Sequence, residues 1–112
     1  MRTFEFSLRI IKLCRHLEAK PGTVRTLSRQ LLRAGTSVGA NVEEAQAAQS
    51  RADFVNKNSI ALKEASETHF WLRLIAASGL IADSRIAGLQ AEADELKKIL
   101  GPIIVSARKS LR

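Results

Sequence analysis

Apolar residues recur every three or four positions along almost the whole chain, and no stretch alternates as a half-buried strand would. The spacing predicts helices over about 3–19, 23–49, 51–78 and from about 84 onward. In the first, Phe6, Ile10, Leu13 and Leu17 share one face, while Phe4, Leu8 and Ile11 form a shorter stripe on roughly the opposite one. The second carries Val24, Leu27, Leu31, Ala34, Val38, Val42 and Ala45 on its inner side, and the third carries Phe54, Ala61, Ala65, Thr68, Leu72 and Ile75. A neighbouring sector of the third holds Ile60, Glu64, Glu67, Trp71 and Leu74. The fourth presents Ile86, Leu89, Ala93, Leu96, Leu100, Ile103, Ile104, Ala107 and Leu111.

The punctuation agrees with this division. Pro21-Gly22 breaks the first helix from the second, Ser50 with Asp53 three residues on reads as an N-cap, and Gly79 suits the left-handed residue that ends a helix. Pro102 lacks the N–H that would bond the Lys98 carbonyl, so a kink or break is expected there. Short links between four helices predict an all-α, antiparallel up-down-up-down bundle, with residues 1–112 as one domain. A lone bundle needs one buried stripe per helix. Phe4, Leu8 and Ile11, and Ile60, Trp71 and Leu74, therefore either line a wide core or form a subunit interface, and an oligomer is the favoured reading.

Two runs depart from ordinary bundle helices. Gly35-Thr36-Ser37-Val38-Gly39-Ala40-Asn41-Val42-Glu43-Glu44-Ala45 mixes small and polar residues with aliphatics, which lets backbones approach closely. Ala61-Leu62-Lys63-Glu64-Ala65-Ser66-Glu67-Thr68-His69-Phe70-Trp71-Leu72 sets two carboxylates beside an apolar stripe. In their order and spacing these runs resemble the four-helix-bundle family of 23S rRNA intervening-sequence proteins. Relatives of that family include the accessory variability determinants of diversity-generating retroelements. The resemblance implies a four-helix bundle and, through the retroelement relatives, a ring-shaped homopentamer. Those relatives bind nucleic acid through a basic surface and serve a reverse transcriptase, which makes such an enzyme a candidate partner.

Composition narrows the class. Hydrophobic residues make up 46% and charged residues 26%, values of a folded domain rather than a disordered chain. The single cysteine, Cys14, has no partner for an intramolecular disulfide, so a reducing cytoplasm is the expected compartment. Charges interrupt the first apolar run too often for a secretory leader, and no run reaches the roughly 18 apolar residues of a membrane span. A membrane partner is therefore not expected.

Catalytic and metal chemistry finds no foothold. A carboxylate-bridged di-metal bundle needs Glu-x-x-His on two helices, and neither His16 nor His69 follows a Glu by three residues. His16 sits among arginines and is expected in solvent, while His69 is expected to hydrogen-bond. There is no phosphate loop, no HExxH and no cysteine pair. Cys14 and His16 point about 160° apart on a helix, too far to act as a nucleophile pair, and a buried thiol is the expected state of Cys14. No catalytic residue, metal, cofactor or small-molecule substrate is expected. Glu64 and Glu67 either pair with arginines, from this subunit or a neighbour, or stand in water at the edge of the stripe.

The net charge of +7 supplies the positive indication. Up to Arg33 eight basic residues face two acidic ones, so six of the seven excess charges fall in the first third. Arg25, Arg29 and Arg33 advance about 40° per step and make a ridge, with Arg9, Lys12 and Arg15 expected on the adjacent outer arc of the first helix. Arg108, Lys109 and Arg112 could extend this surface or complement the dipole of the last helix. Aromatics are only 4%, with no Tyr, which leaves little for base stacking. The sequence thus points to a non-enzymatic protein that contacts RNA or DNA backbone, the alternative being an oligomeric protein-interaction scaffold.

Overall fold

Four helices account for most of the chain: α1 (Arg2–Glu18), α2 (Thr23–Gln46), α3 (Arg51–Ala77) and α4 (Asp83–Lys109). The structure is a computed structural model that describes residues 2–111, so the tail residue Arg112 lies outside the described residues. No strand occurs among those residues, and no helix is long and apolar enough to cross a membrane. Each helix packs on its chain neighbours and α4 returns to α1, while the diagonal pairs do not touch, as in an antiparallel bundle. Lys20 Nζ, after α1, donates to the Leu80 carbonyl after α3 at 2.8 Å, which brings those two helix ends to the same pole.

The turns form where the sequence supplies the chemistry. Gly22 and Gly79 both adopt left-handed backbone, at φ 86° and 75°. The Ser50 hydroxyl accepts from the Asp53 N–H at 3.0 Å and caps α3. Ser50 has the extended backbone of that cap, and α2 stops at Gln46, earlier than the expected 49. The Ala47 and Ala48 N–H groups tighten its last turn by bonding back to Glu44 and Ala45.

The expected break at Pro102 does not occur. α4 continues through the proline to Lys109. Pro102 is exposed, whereas Leu100, Ile104 and Ala107 are buried, and Ile104 and Ala107 pack against Val55, Phe54 and Leu62. Packing on both sides of the proline keeps the helix in register despite the lost hydrogen bond.

Phe6, Ile10, Leu31, Leu72, Ile75 and Ile86 are fully buried in the main core. The small residues of α2 explain how tightly it closes. A Cβ on Gly35 would lie 2.8 Å from Ile10 Cγ2, and one on Gly39 would lie 3.2 Å from the Thr3 carbonyl oxygen. Cys14 and Ser28 meet in the same seam, each side chain reaching the other's carbonyl, at 3.5 and 3.4 Å. Buried Thr68 and Asn58 satisfy themselves on carbonyls one turn back, Glu64 and Phe54, and no buried side-chain polar atom among the described residues lacks a partner.

With 17 residues against 27 in α3 and in α4, α1 is about 15 Å the shorter. Beyond its start α3 and α4 pack a small second core of Val55, Ile104 and Ala107. A groove of about 260 Å³ opens there, lined by Thr3, Val42, Phe54, Leu96 and Ile103 among others.

Candidate nucleic-acid interface

The basic residues expected to make one continuous face separate into groups. Arg33, on the α3 side of α2, engages Glu64 at 3.1 Å through Nη1 and pairs with Glu67 through Nη2. The Glu67 carboxylate also accepts from Trp71 Nε1 at 3.3 Å. Two carboxylates thus share one guanidinium within a single subunit, answering where the acids of the α3 stripe find partners. Arg33 is correspondingly committed, although half its side-chain surface remains exposed.

Arg15, Arg25 and Arg29 are exposed and enter no ion pair among the described residues. Arg15 and Arg29 directly follow Cys14 and Ser28, so the contact between those two residues brings both arginines to one level of the α1–α2 seam. Arg9 and Lys12 turn the other way. Together with Arg85 of α4, Leu13 and Leu89 they line a cleft of about 240 Å³ between α1 and α4. Arg9 lies against Gly88, where an added Cβ would sit 3.0 Å from Nη2. Sequence reasoning missed Arg85, which is 76 positions from Arg9 and belongs to no local basic run. The only local trace is Gly88, a helix-interior glycine of no evident use until the arginine is seen beside it.

A second unforeseen pair lies along the same seam. Arg2 makes a bidentate bond to Glu92 at 2.7 and 2.8 Å. The guanidinium holds the Glu92 carboxyl below its ordinary range and is itself raised in return. Arg108 and Lys109 are not brought to these groups. They end α4, more than twenty residues beyond Arg85, or roughly 35 Å along the axis. At that position they complement the helix dipole.

The expected interface residues form two patches. Phe4, 52% exposed, and Leu8 lie on α1 with half-buried Ile11, while exposed Leu74 lies on α3 with half-buried Ile60 and Trp71. The two patches lie on helices that are not neighbours in the bundle, and the α3 patch borders the α2–α3 seam. Phe70, also exposed, meets Trp71 edge-on with ring centroids 5.2 Å apart.

The remaining ionisable groups are settled locally. Cys14 is buried and desolvation raises its pKa. His16 is exposed, and half-buried His69 has its pKa lowered by desolvation and by the nearby Lys97 and Arg73. No group of three or more His, Cys, Asp or Glu side chains among the described residues could hold a metal ion.

The chain matches the family model described as 23S rRNA-intervening sequence protein over residues 1–102. It is also similar to a crystal structure from Bacteroides thetaiotaomicron VPI-5482, a protein of unknown function from the S23 ribosomal protein family. The two share 42% identity and superpose with a TM-score of 0.85, covering 92% of this chain and 94% of that one. No curated protein matches. Sequence and fold agree, and the chain belongs to the 23S rRNA-intervening sequence protein family.

Proposed function

We propose that this protein is a non-enzymatic accessory factor that binds RNA or DNA through its phosphate backbone, as a homopentameric ring of the retroelement-accessory type. The observation that carries the reading is the set of exposed cations on α1 and α2, Arg9, Lys12, Arg15, Arg25 and Arg29, none held by a carboxylate among the described residues. Carboxylates are within reach elsewhere and are used: Arg2 and Arg33 have them. Cations left without counter-charges form a polyanion-binding surface whose affinity falls steeply with salt. With few aromatics and no Tyr, contacts go to backbone and shape rather than stacked bases.

The two apolar patches favour the ring. Two different surfaces on one subunit suit a head-to-tail interface, which closes when the rotation between copies is a whole fraction of a turn. Five copies, and a reverse transcriptase as partner, rest on the resemblance to the retroelement subunits. The same patches favour an oligomeric scaffold without nucleic acid as the second reading.

Light scattering on nuclease-treated protein, with and without a structured RNA, tests both. A mass near five subunits that takes up RNA at low salt and releases it at high salt supports the proposal. An oligomer that ignores RNA favours the scaffold, and a monomer that ignores RNA overturns both.

A further inference from the structure

We propose that the α1–α4 cleft formed by Arg9, Lys12 and Arg85 is a binding site for a phosphoryl group, and that a backbone phosphodiester of the nucleic acid occupies it. The inference rests on the nucleic-acid reading above and assigns it a specific anchor.

Three cations from two helices line one cleft of about 240 Å³, and its other lining residues are Leu13 and Leu89. No carboxylate lines it, so the three like charges repel one another until an anion enters. An apolar floor strengthens the attraction by keeping water from one side of the charges. The lining includes no aromatic ring and no side-chain acceptor, hence nothing to stack on a base or hold a sugar hydroxyl. What remains is recognition of oxygens bearing negative charge. Two guanidinium forks and an ammonium are suited to that.

Two neighbours on α4 border Arg9. Gly88 presents bare helix backbone beneath Arg9, where a methyl group would lie 3.0 Å from Nη2. Glu92, one turn further along α4, lies outside the cleft lining; Arg2 binds its carboxylate through two bonds, and Arg9 adds a weaker attraction to it.

Fluorescence anisotropy with two labelled RNAs of different sequence, over a salt series, tests the assignment on wild-type protein and on Arg85→Ala, Arg85→Lys and Arg29→Ala. Inorganic phosphate, followed by amide shifts in NMR, is titrated in parallel. Arg85 is exposed and in no ion pair among the described residues, so its variants should fold, as matching melting curves will verify. The expected result for Arg85→Ala is about tenfold weaker binding of both RNAs and a salt slope lower by about one, with Arg85→Lys recovering the slope. If wild type binds RNA and Arg85→Ala binds it equally well, the cleft assignment falls while the nucleic-acid reading stands. If wild type ignores RNA but shows Arg85-dependent shifts with phosphate, the phosphoryl site stands with a free phosphate as its ligand, and the nucleic-acid reading falls. Absence of both responses overturns the two together.

Discussion

Arg33 of α2 reaches across the helix seam to Glu64 of α3, with Nη1 3.1 Å from Oε2. Its other terminal nitrogen meets Glu67, which also accepts from the Trp71 indole. This network converts one member of the arginine ridge into a clamp between helices and leaves an excess of negative charge beside it.

The clamp predicts a gain on removing its acids. Glu64→Gln with Glu67→Gln should release Arg33 to the ridge, strengthening RNA binding several-fold and steepening its salt dependence by about one charge. Since the guanidinium is half exposed, the cost in stability should not exceed about 1 kcal/mol per pair. Unchanged RNA affinity in the double variant, measured by anisotropy, would show that Arg33 takes no part in binding.

Gly35 should tolerate no side chain. Gly35→Ala places a methyl group 2.8 Å from Ile10 Cγ2 in a fully buried seam, and overpacking of this kind costs about 1–3 kcal/mol. The melting temperature should fall by several degrees. Gly88→Ala is the contrast, because the colliding atom is the far end of the Arg9 side chain, which can swing away. Its helix propensity should leave stability unchanged or raised by up to about 1 kcal/mol. Equal melting temperatures for the two variants would refute the close approach of α1 and α2.

Pro102 is a fault that packing overrides. Pro102→Ala restores an N–H for the Lys98 carbonyl on the exposed side of a helix already continuous there. Stability should rise by about 1–3 kcal/mol, read by chemical denaturation at constant m. A loss of stability would mean that the proline ring contributes more through packing than its missing bond costs.

The Arg2–Glu92 pair gives a pH dependence of definite sign. The Glu92 carboxyl is lowered in the folded state, so the unfolded chain binds the proton more readily. The stabilisation is full above the ordinary carboxylate range and is lost as pH falls through the lowered folded value. Between about pH 6 and about pH 3 the melting temperature of wild type should drop more than that of Glu92→Gln, with the difference shrinking in high salt. Parallel curves would exclude the pair as a contributor.

Much of the fold was legible because helix and core obey local rules. The stripe Phe6, Ile10, Leu13, Leu17 states its burial through a period of 3.6 residues, Gly35 and Gly39 state their close packing through their size, and the structure buries them accordingly. Ser50 and Gly79 likewise carry their capping roles in their own chemistry. A break at Pro102 does not form, because Ile104 and Ala107 pack beyond it, which a local penalty does not include.

The sequence by itself determined four helices, their order, the presence of a close-packing run on α2 and the concentration of positive charge in the first third, while the structure made α1 the partner of that run. Only the tertiary structure decided which cations remain free. Arg33 is drawn to Glu64 and Glu67, Arg2 to Glu92, and Arg9 and Lys12 are set against Arg85 rather than beside the α2 ridge. The reason is physical: burial on a helix follows a short repeat along the chain, whereas the partner of an exposed charge is whatever the packing angle brings within a few ångströms.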